Sequence, residues 1–189
     1  MIDIFQKKRD LRLVMKDRRA NAYAENPDAG SALCTQLLKH ISLPSQAVVA
    51  SYQAFGNEID TVPLVEALRS RGHRIALPVV VGKGQALLFR CYEAGDQLAV
   101  GSFGMEEPLS SAPTIQPDVL LVPMLAFDRR LYRLGYGGGF YDRTLQQLRR
   151  QKRILALGVA FSCQEVLDVP HGTHDVRLDK ITTELEAFP

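Results

Sequence analysis

Two periodicities alternate along the chain. Apolar residues at Ile4, Leu11, Met15 and Ala22 recur at helical spacing, which predicts a long opening helix from residue 3 to about 25, ending before Pro27. A second helical pattern covers 31–40, and the run Ala47 to Gln53 (AVVASYQ) predicts the first strand. The next helix runs through Leu64, Val65 and Leu68, with Asp60 or Thr61 to cap its start and Gly72 placed to stop it. His73 to Val81 reads as a strand, and the turn Gly82, Lys83, Gly84 returns the chain into 86–92 as its hairpin partner. Ala99 to Pro108 reads as a loop, with Glu106 and Glu107 pointing oppositely on extended backbone. Val119 to Leu125 (VLLVPML) is a continuous apolar run of strand length, and Leu145 and Leu148 mark a helix within Asp142 to Gln151. Ile154 to Ala160 (ILALGVA) predicts another buried strand, and Thr182 and Thr183 begin a short final one. This alternation predicts an α/β fold: a three-layer α/β/α unit with a mainly parallel central sheet, a small antiparallel addition, and one domain over 1–189.

In an open α/β sheet, ligands bind at the carboxyl ends of the strands. The loops at 54–61 and 124–142 both follow strands, so the fold predicts that they share one cleft. The second loop carries the densest signal: Arg133, Leu134, Gly135, Tyr136, Gly137, Gly138, Gly139, Phe140, Tyr141, Asp142, Arg143. Glycines without Cβ atoms let backbone amides close around an anion, and the following helix adds unpaired N–H groups, so phosphate is the expected guest. The flanking arginines supply charge-assisted donors, and Asp142 is placed to hold a cation that bridges phosphate oxygens. The plainer alternative is a flexible turn with Asp142 as a helix cap. In the first loop, Glu58 is suited to accept from amino groups of a heterocycle and Phe55 to pack on its ring; the alternatives are a surface carboxylate and a core aromatic.

Charge adds one feature. Lys8, Arg12, Lys16 and Arg19 form a basic stripe on the face of the opening helix opposite its apolar positions, either a solvated face or a wall for an anionic ligand. The formal net charge of +2 is too small to imply nucleic-acid binding. Cys34, Cys91 and Cys163 are isolated and suggest neither disulfides nor a zinc site, while His171 and His174 have no third ligand nearby in sequence. The charged amino terminus lacks the apolar core of a signal peptide, and no apolar run reaches membrane-spanning length. A cytoplasmic protein with no membrane association is expected.

The segments KRDLR (8–12), FGNEIDT (55–61), EP (107–108), VPMLAFD (122–128) and RLGYGGGFYDR (133–143) resemble the 5-formyltetrahydrofolate cyclo-ligase family, also called 5,10-methenyltetrahydrofolate synthetase, over nearly the whole chain. The resemblance implies ATP- and magnesium-dependent conversion of 5-formyltetrahydrofolate to 5,10-methenyltetrahydrofolate, with phosphorylation of the formyl oxygen and no nucleophilic side chain. It implies that Lys8, Arg9, Asp10, Leu11 and Arg12 and residues 133–141 bind ATP, with Lys8, Arg12 and Arg133 positioning the reactants. Asp142 would hold magnesium, joined by Asp175 or its neighbour Asp179, and Glu58 would contact folate. Phe55, Met124 and Tyr141 are added on physical grounds as ring-pocket residues. Some members of that family carry basic residues where this chain has Tyr136 and Gly138, which places more of the phosphate charge on Lys8, Arg12, Arg133, Arg143 and the metal. A monomer is expected. A non-catalytic folate- or nucleotide-binding protein is the main alternative. A sugar-phosphate isomerase or CoA-transferase-like enzyme is the other, although no catalytic base or glutamyl nucleophile stands out for it.

Overall fold

The computed structural model describes residues 3–189. The β-branched and leucine-rich runs form a seven-stranded sheet because both of their faces are covered. In chain order the elements are α1 (Ile4–Glu25), α2 (Ala29–His40), β1 (Val48–Ala50), α3 (Val62–Ser70), β2 (Arg74–Val79), β3 (Leu88–Cys91), β4 (Leu98–Val100) and β5 (Glu106–Pro108). They continue with β6 (Val119–Val122), β7 (Ala126–Phe127), β8 (Arg133–Leu134), α4 (Phe140–Gln151), β9 (Leu155–Val159), a 3-10 turn (Ser162–Gln164), β10 (Lys180–Thr182) and β11 (Ala187–Phe188). The sheet order is β11-β10-β9-β6-β1-β2-β3. Strands β10 through β2 run parallel, and the edge strands β11 and β3 are antiparallel. The three-layer α/β/α prediction holds.

Strand alternation separates two cores. Val49, Val119 and Leu121 point to the face covered by Leu33 and Leu37 of α2 and Leu64 and Leu68 of α3. Val48, Ala50, Leu120 and Val122 point to the other face, where Leu145 and Leu148 of α4 pack. The helices therefore take opposite faces on either side of one boundary. β1 leads through α3 to β2, while its neighbour β6 leads through α4 to β9. The boundary between β1 and β6 is a topological switch point, and the loops after both strands open at the same sheet edge.

Three expectations are corrected. Residues 98–108 are not a loop: β4 and β5 pair antiparallel, Glu106 is exposed, and Glu107 turns inward so that its Oε1 accepts the Val80 N–H at 3.0 Å. The last strands are β10, which ends at Thr182, and β11, so Thr182 and Thr183 close a strand rather than begin one. The basic stripe of α1 does not oppose its apolar residues. Met15, Arg19 and Ala22 are buried, Lys8 and Arg12 are half-buried, and Lys16 is exposed. Positions 8, 12, 15, 19 and 22, separated by fours and threes, therefore share one inward face. Met15 anchors that face against Leu125, Ala126, Leu134 and Val169.

Gly30, in the first turn of α2, meets the loop after β1: a Cβ there would lie 2.6 Å from the Asp60 carbonyl oxygen. Gly30→Ala gains up to about 1 kcal/mol of helix propensity, but the contact is with backbone, and overpacking costs about 1–3 kcal/mol. The variant is expected to have a lower urea midpoint with an unchanged m-value; an equal or higher midpoint would show that the loop yields freely.

Candidate functional site

The loop after β1 is closed by its own polar groups. Ser51 Oγ donates to Thr61 Oγ1 at 3.2 Å, Thr61 Oγ1 donates to the Tyr52 carbonyl at 3.2 Å, and Asp60 Oδ1 accepts the Val62 N–H at 2.9 Å to cap α3. This closure turns Glu58 inward, where the residue is 5% exposed. Its Oε2 accepts the Phe55 N–H at 2.9 Å, and its Oε1 accepts the Tyr136 hydroxyl at 2.8 Å. Arg19 Nη1 stands 3.7 Å from Oε1, an ion pair without a hydrogen bond. Burial pushes the Glu58 carboxyl above its ordinary value, and the Phe55 N–H, the Tyr136 hydroxyl and Arg19 pull it part of the way back. Glu58 also lines a cavity of about 360 Å³ with Tyr23, Gly30, Ala54, Asp60 and Phe161. That volume suits a ring system of modest size.

The loop after β6 is held by a second buried carboxylate. Asp128, 1% exposed, accepts the N–H groups of Arg130, Tyr132 and Val169, which fixes the turn between β7 and β8. That hairpin places Arg133, 7% exposed, so that Nη1 donates to the Val176 carbonyl at 2.6 Å and Nη2 to Asp142 Oδ1 at 2.8 Å. The glycine segment then bends through Gly137 (φ +104°) and Gly139 (φ +66°), conformations that a residue with a Cβ resists, and Gly139 leads into α4. Arg12 reaches this segment from α1: its Nε donates to the Gly135 carbonyl at 2.8 Å, and its guanidinium lies 3.5 Å from where a Cβ on Gly137 would stand. Arg143 Nη2 donates to the Gly138 carbonyl at 2.5 Å. A Cβ on Gly138 would meet the Phe140 ring at 2.7 Å, so a side chain there requires that ring to shift.

Lys8 Nζ donates to both oxygens of Asp175, at 2.6 and 2.7 Å. Burial alone would raise Asp175, but Lys8, the Gly172 N–H and Arg133 together hold it below the usual carboxylate range. Burial also lowers the pKa of Arg12 and Arg133, against the opposing pull of Asp175 and Asp142 respectively. The result is a set of partly desolvated cations around a glycine loop at a helix amino terminus, a geometry matched to phosphate.

Lys8, Arg12, Arg133, Gly135, Asp142 and Asp175 are thus brought together, and Tyr136 joins them to Glu58. Other expected residues fall elsewhere. Arg9 and Asp10 are exposed on the outer side of α1, with Asp10 accepting from Gln6 at 2.7 Å. Leu11 and Leu134 pack with Met15 as core. Met124, expected in a ring pocket, is 2% exposed, with its Cε against Gly158, and belongs to the core under the sheet edge. Phe55 is 52% exposed, whereas Tyr141, partly buried against the α4-side core, stays by the cleft: burial and Glu58 push its hydroxyl pKa up, and Arg133 pulls it down. Asp179 accepts the Ala156 N–H at 2.7 Å near the start of β9 and is bound to Arg149, so it serves the far end of the sheet. His171 stacks on Tyr132 at 3.6 Å.

No group of three or more His, Cys, Asp or Glu side chains able to hold a metal occurs among the described residues. Asp142 keeps one oxygen outside its hydrogen bonds, since Arg133 and Val176 both bind Oδ1. A single carboxylate of this kind fits an ion that keeps waters and phosphates as its other ligands. Both oxygens of Asp175 are engaged by Lys8. Arg19 was legible only as one member of a stripe. The available signal was its register with Met15 and Ala22, four residues after one and three before the other, which marks it as inward-facing.

Switch-point topology, a glycine loop ringed by partly buried cations and a facing buried carboxylate define the class: an α/β protein with a two-sided candidate cleft. A model of the 5-formyltetrahydrofolate cyclo-ligase family matches residues 4–184. The 5-formyltetrahydrofolate cyclo-ligase of Escherichia coli (strain K12) is 33% identical over 177 residues, covering 90% of this chain and 96% of that protein. Its Haemophilus influenzae counterpart is 34% identical over 179 residues, covering 92% and 95%. The NMR structure of Aquifex aeolicus 5,10-methenyltetrahydrofolate synthetase matches with a TM-score of 0.76 at 29% identity, covering 95% of this chain and 91% of that one. The structure of a Mycoplasma pneumoniae 5,10-methenyltetrahydrofolate synthetase gives 0.73 at 26% identity, covering 94% and 98%. The chain belongs to the 5-formyltetrahydrofolate cyclo-ligase family, and with it to the ligases. No helix among the described residues is long and apolar enough to cross a membrane.

Because the Tyr136 hydroxyl is one of the groups that lowers the Glu58 pKa, Tyr136→Phe is expected to make Glu58 titrate at higher pH than in the wild type. Carbon-13 NMR of the side-chain carboxyl measures this, and a downward shift would contradict the hydrogen bond.

Proposed function

We propose that this chain, acting as one catalytic unit, converts 5-formyltetrahydrofolate to 5,10-methenyltetrahydrofolate while ATP becomes ADP and phosphate. Besides family membership, one observation carries the reading. The Tyr136 hydroxyl on Glu58 joins a phosphate-type glycine loop to a carboxylate suited to a nitrogen heterocycle, so two different ligands have neighbouring sites. In this reading the γ-phosphate lies against the glycine amides and the amino terminus of α4, where Arg12, Arg133 and Arg143 spread its charge and Lys8 adds a point charge.

The formyl oxygen attacks the γ-phosphorus, and ADP leaves. N10 of the folate then attacks the activated formyl carbon and loses its proton, and the C–O bond breaks with phosphate as leaving group. An amide oxygen is a poor leaving group and a phosphate ester a good one, so the protein needs to position and neutralise rather than supply a nucleophile. When bound, magnesium would offset the phosphate charge; Asp142 would be the residue to hold it, with Asp175 available only if Lys8 moves onto phosphate. Glu58 orients the folate ring.

Mixing the protein with ATP, magnesium and 5-formyltetrahydrofolate is expected to generate the methenyl chromophore in the near ultraviolet together with ADP. Tight binding of both ligands without product would instead identify a non-catalytic binder. Asp142→Asn keeps the side-chain size but removes charge, so turnover is expected to fall by about two orders of magnitude or more. Circular dichroism must show an intact fold, because Arg133 loses its charged partner. Near-normal turnover would leave Asp142 as a partner for Arg133 only. Glu58→Gln is expected to raise the KM for folate at least about tenfold while leaving the KM for ATP within about twofold. The opposite pattern would mean that the two ligands are exchanged.

A further inference from the structure

Arg19 has donors that nothing in the fold uses. The residue is 6% exposed, and among the described residues neither its Nε nor its Nη1 has a hydrogen-bond partner, although both are buried. A guanidinium carries five N–H donors in a rigid fork, and leaving them unpaired in a low-dielectric site is costly. The Glu58 carboxylate beside it has Oε1 3.7 Å from Nη1, too far for a hydrogen bond. The group that covers it is Tyr136: the Arg19 guanidinium carbon lies 5.5 Å from the centre of that ring, while the Tyr136 hydroxyl sits on Glu58 at 2.8 Å. An aromatic ring with one polar handle thus rests on a carboxylate and a guanidinium side by side. Tyr136 is 46% exposed and lies between Gly135 and the left-handed Gly137, so few contacts oppose its leaving. Tyr23, one turn beyond Arg19 on α1, lines the cavity onto which Glu58 opens.

A carboxylate beside an unpaired guanidinium presents acceptors next to a donor. The complementary ligand edge has two N–H donors next to a carbonyl oxygen. The 2-amino-4-oxo edge of a pterin has this pattern: the 2-amino group and N3–H donate, and O4 accepts.

We propose that Arg19 is a substrate-contacting specificity residue, which donates to the pterin C4 oxygen while Glu58 accepts from N3–H and the 2-amino group, the pterin taking the place that Tyr136 holds here. The assignment rests on the folate reading above and adds to it a rule of discrimination. A ring with an amino group at C4 turns a donor toward the guanidinium and, having lost N3–H, a lone pair toward Glu58, and a site built to hydrogen-bond the 4-oxo edge rejects such an analogue.

Calorimetric titration of the full chain with 5-formyltetrahydrofolate and with its analogue bearing an amino group in place of the C4 oxygen tests this. The wild type is expected to prefer the 4-oxo ligand by about 10- to 100-fold, the range for a hydrogen bond to a charged group. Arg19→Met should weaken the 4-oxo ligand by about tenfold, leave the 4-amino ligand within about threefold and so narrow the preference by about that factor, the remainder being held by Glu58 at N3, with ATP affinity unchanged as the control. Arg19→Lys, which keeps a donor, should retain part of the preference. Equal weakening of both ligands in Arg19→Met would show that Arg19 acts only by supporting Glu58 and would overturn the proposal. A wild type that binds both ligands equally would overturn it without any variant. If the wild type makes no methenyl product from ATP and 5-formyltetrahydrofolate, the folate reading fails; if it does but Arg19→Met leaves the 4-oxo preference unchanged, the Arg19 assignment fails alone.

Discussion

A carboxylate that is 5% exposed sets the terms for the rest of the cleft. Isolating an ionised group of this kind from water costs several kcal/mol, and each hydrogen bond to it returns about 1.5–3 kcal/mol. Glu58 has two such bonds and one nearby cation, and they come from three separate parts of the chain: Phe55 of its own loop, Tyr136 of the glycine loop and Arg19 of α1. No single segment satisfies it. The group is most fully compensated when all three parts are in place, so its burial gathers the walls of the cleft around one point.

The same logic accounts for the position of α1. Its inward face offers one fully buried apolar anchor, Met15, among Lys8, Arg12 and Arg19, while Leu13 and Val14 face solvent at 61% and 55% exposure. Apolar burial alone would leave such a helix weakly attached. Instead its cations find partners along the loops: Lys8 on Asp175, Arg12 on the Gly135 carbonyl and Arg19 beside Glu58. A helix held this way forms a wall whose charges already face where an anion would lie. It is also the wall whose contacts a bound anion would compete for.

Much of this was legible from residues alone. The parallel sheet followed from apolar runs such as Val119 to Val122, which are too uniformly apolar to face water on either side. The glycine segment and Glu58 followed from their positions after strands. What the pattern concealed has particular causes. The β4–β5 hairpin has strands of only three residues each and closes through Glu107 on Val80, a contact between segments far apart in sequence. Met124 reads as a ring-pocket residue from its place in a loop, but the missing side chain of Gly158 draws it into the core. Asp175 and Asp179 are near neighbours in one polar segment, and only the sheet separates the first, at Lys8, from the second, at the start of β9.

Sequence alone determined the helices, the central strands, the layers and the sheet edge that carries the two loops, because periodicity and glycine placement act within one segment. Tertiary structure alone decided which charges face the cleft, which acid pairs with which base, and that Arg19 is buried with donors unused. The reason is physical: burial and ion pairing depend on the distances between segments, and helical spacing states only that Arg19 shares a face with Met15, not what that face meets.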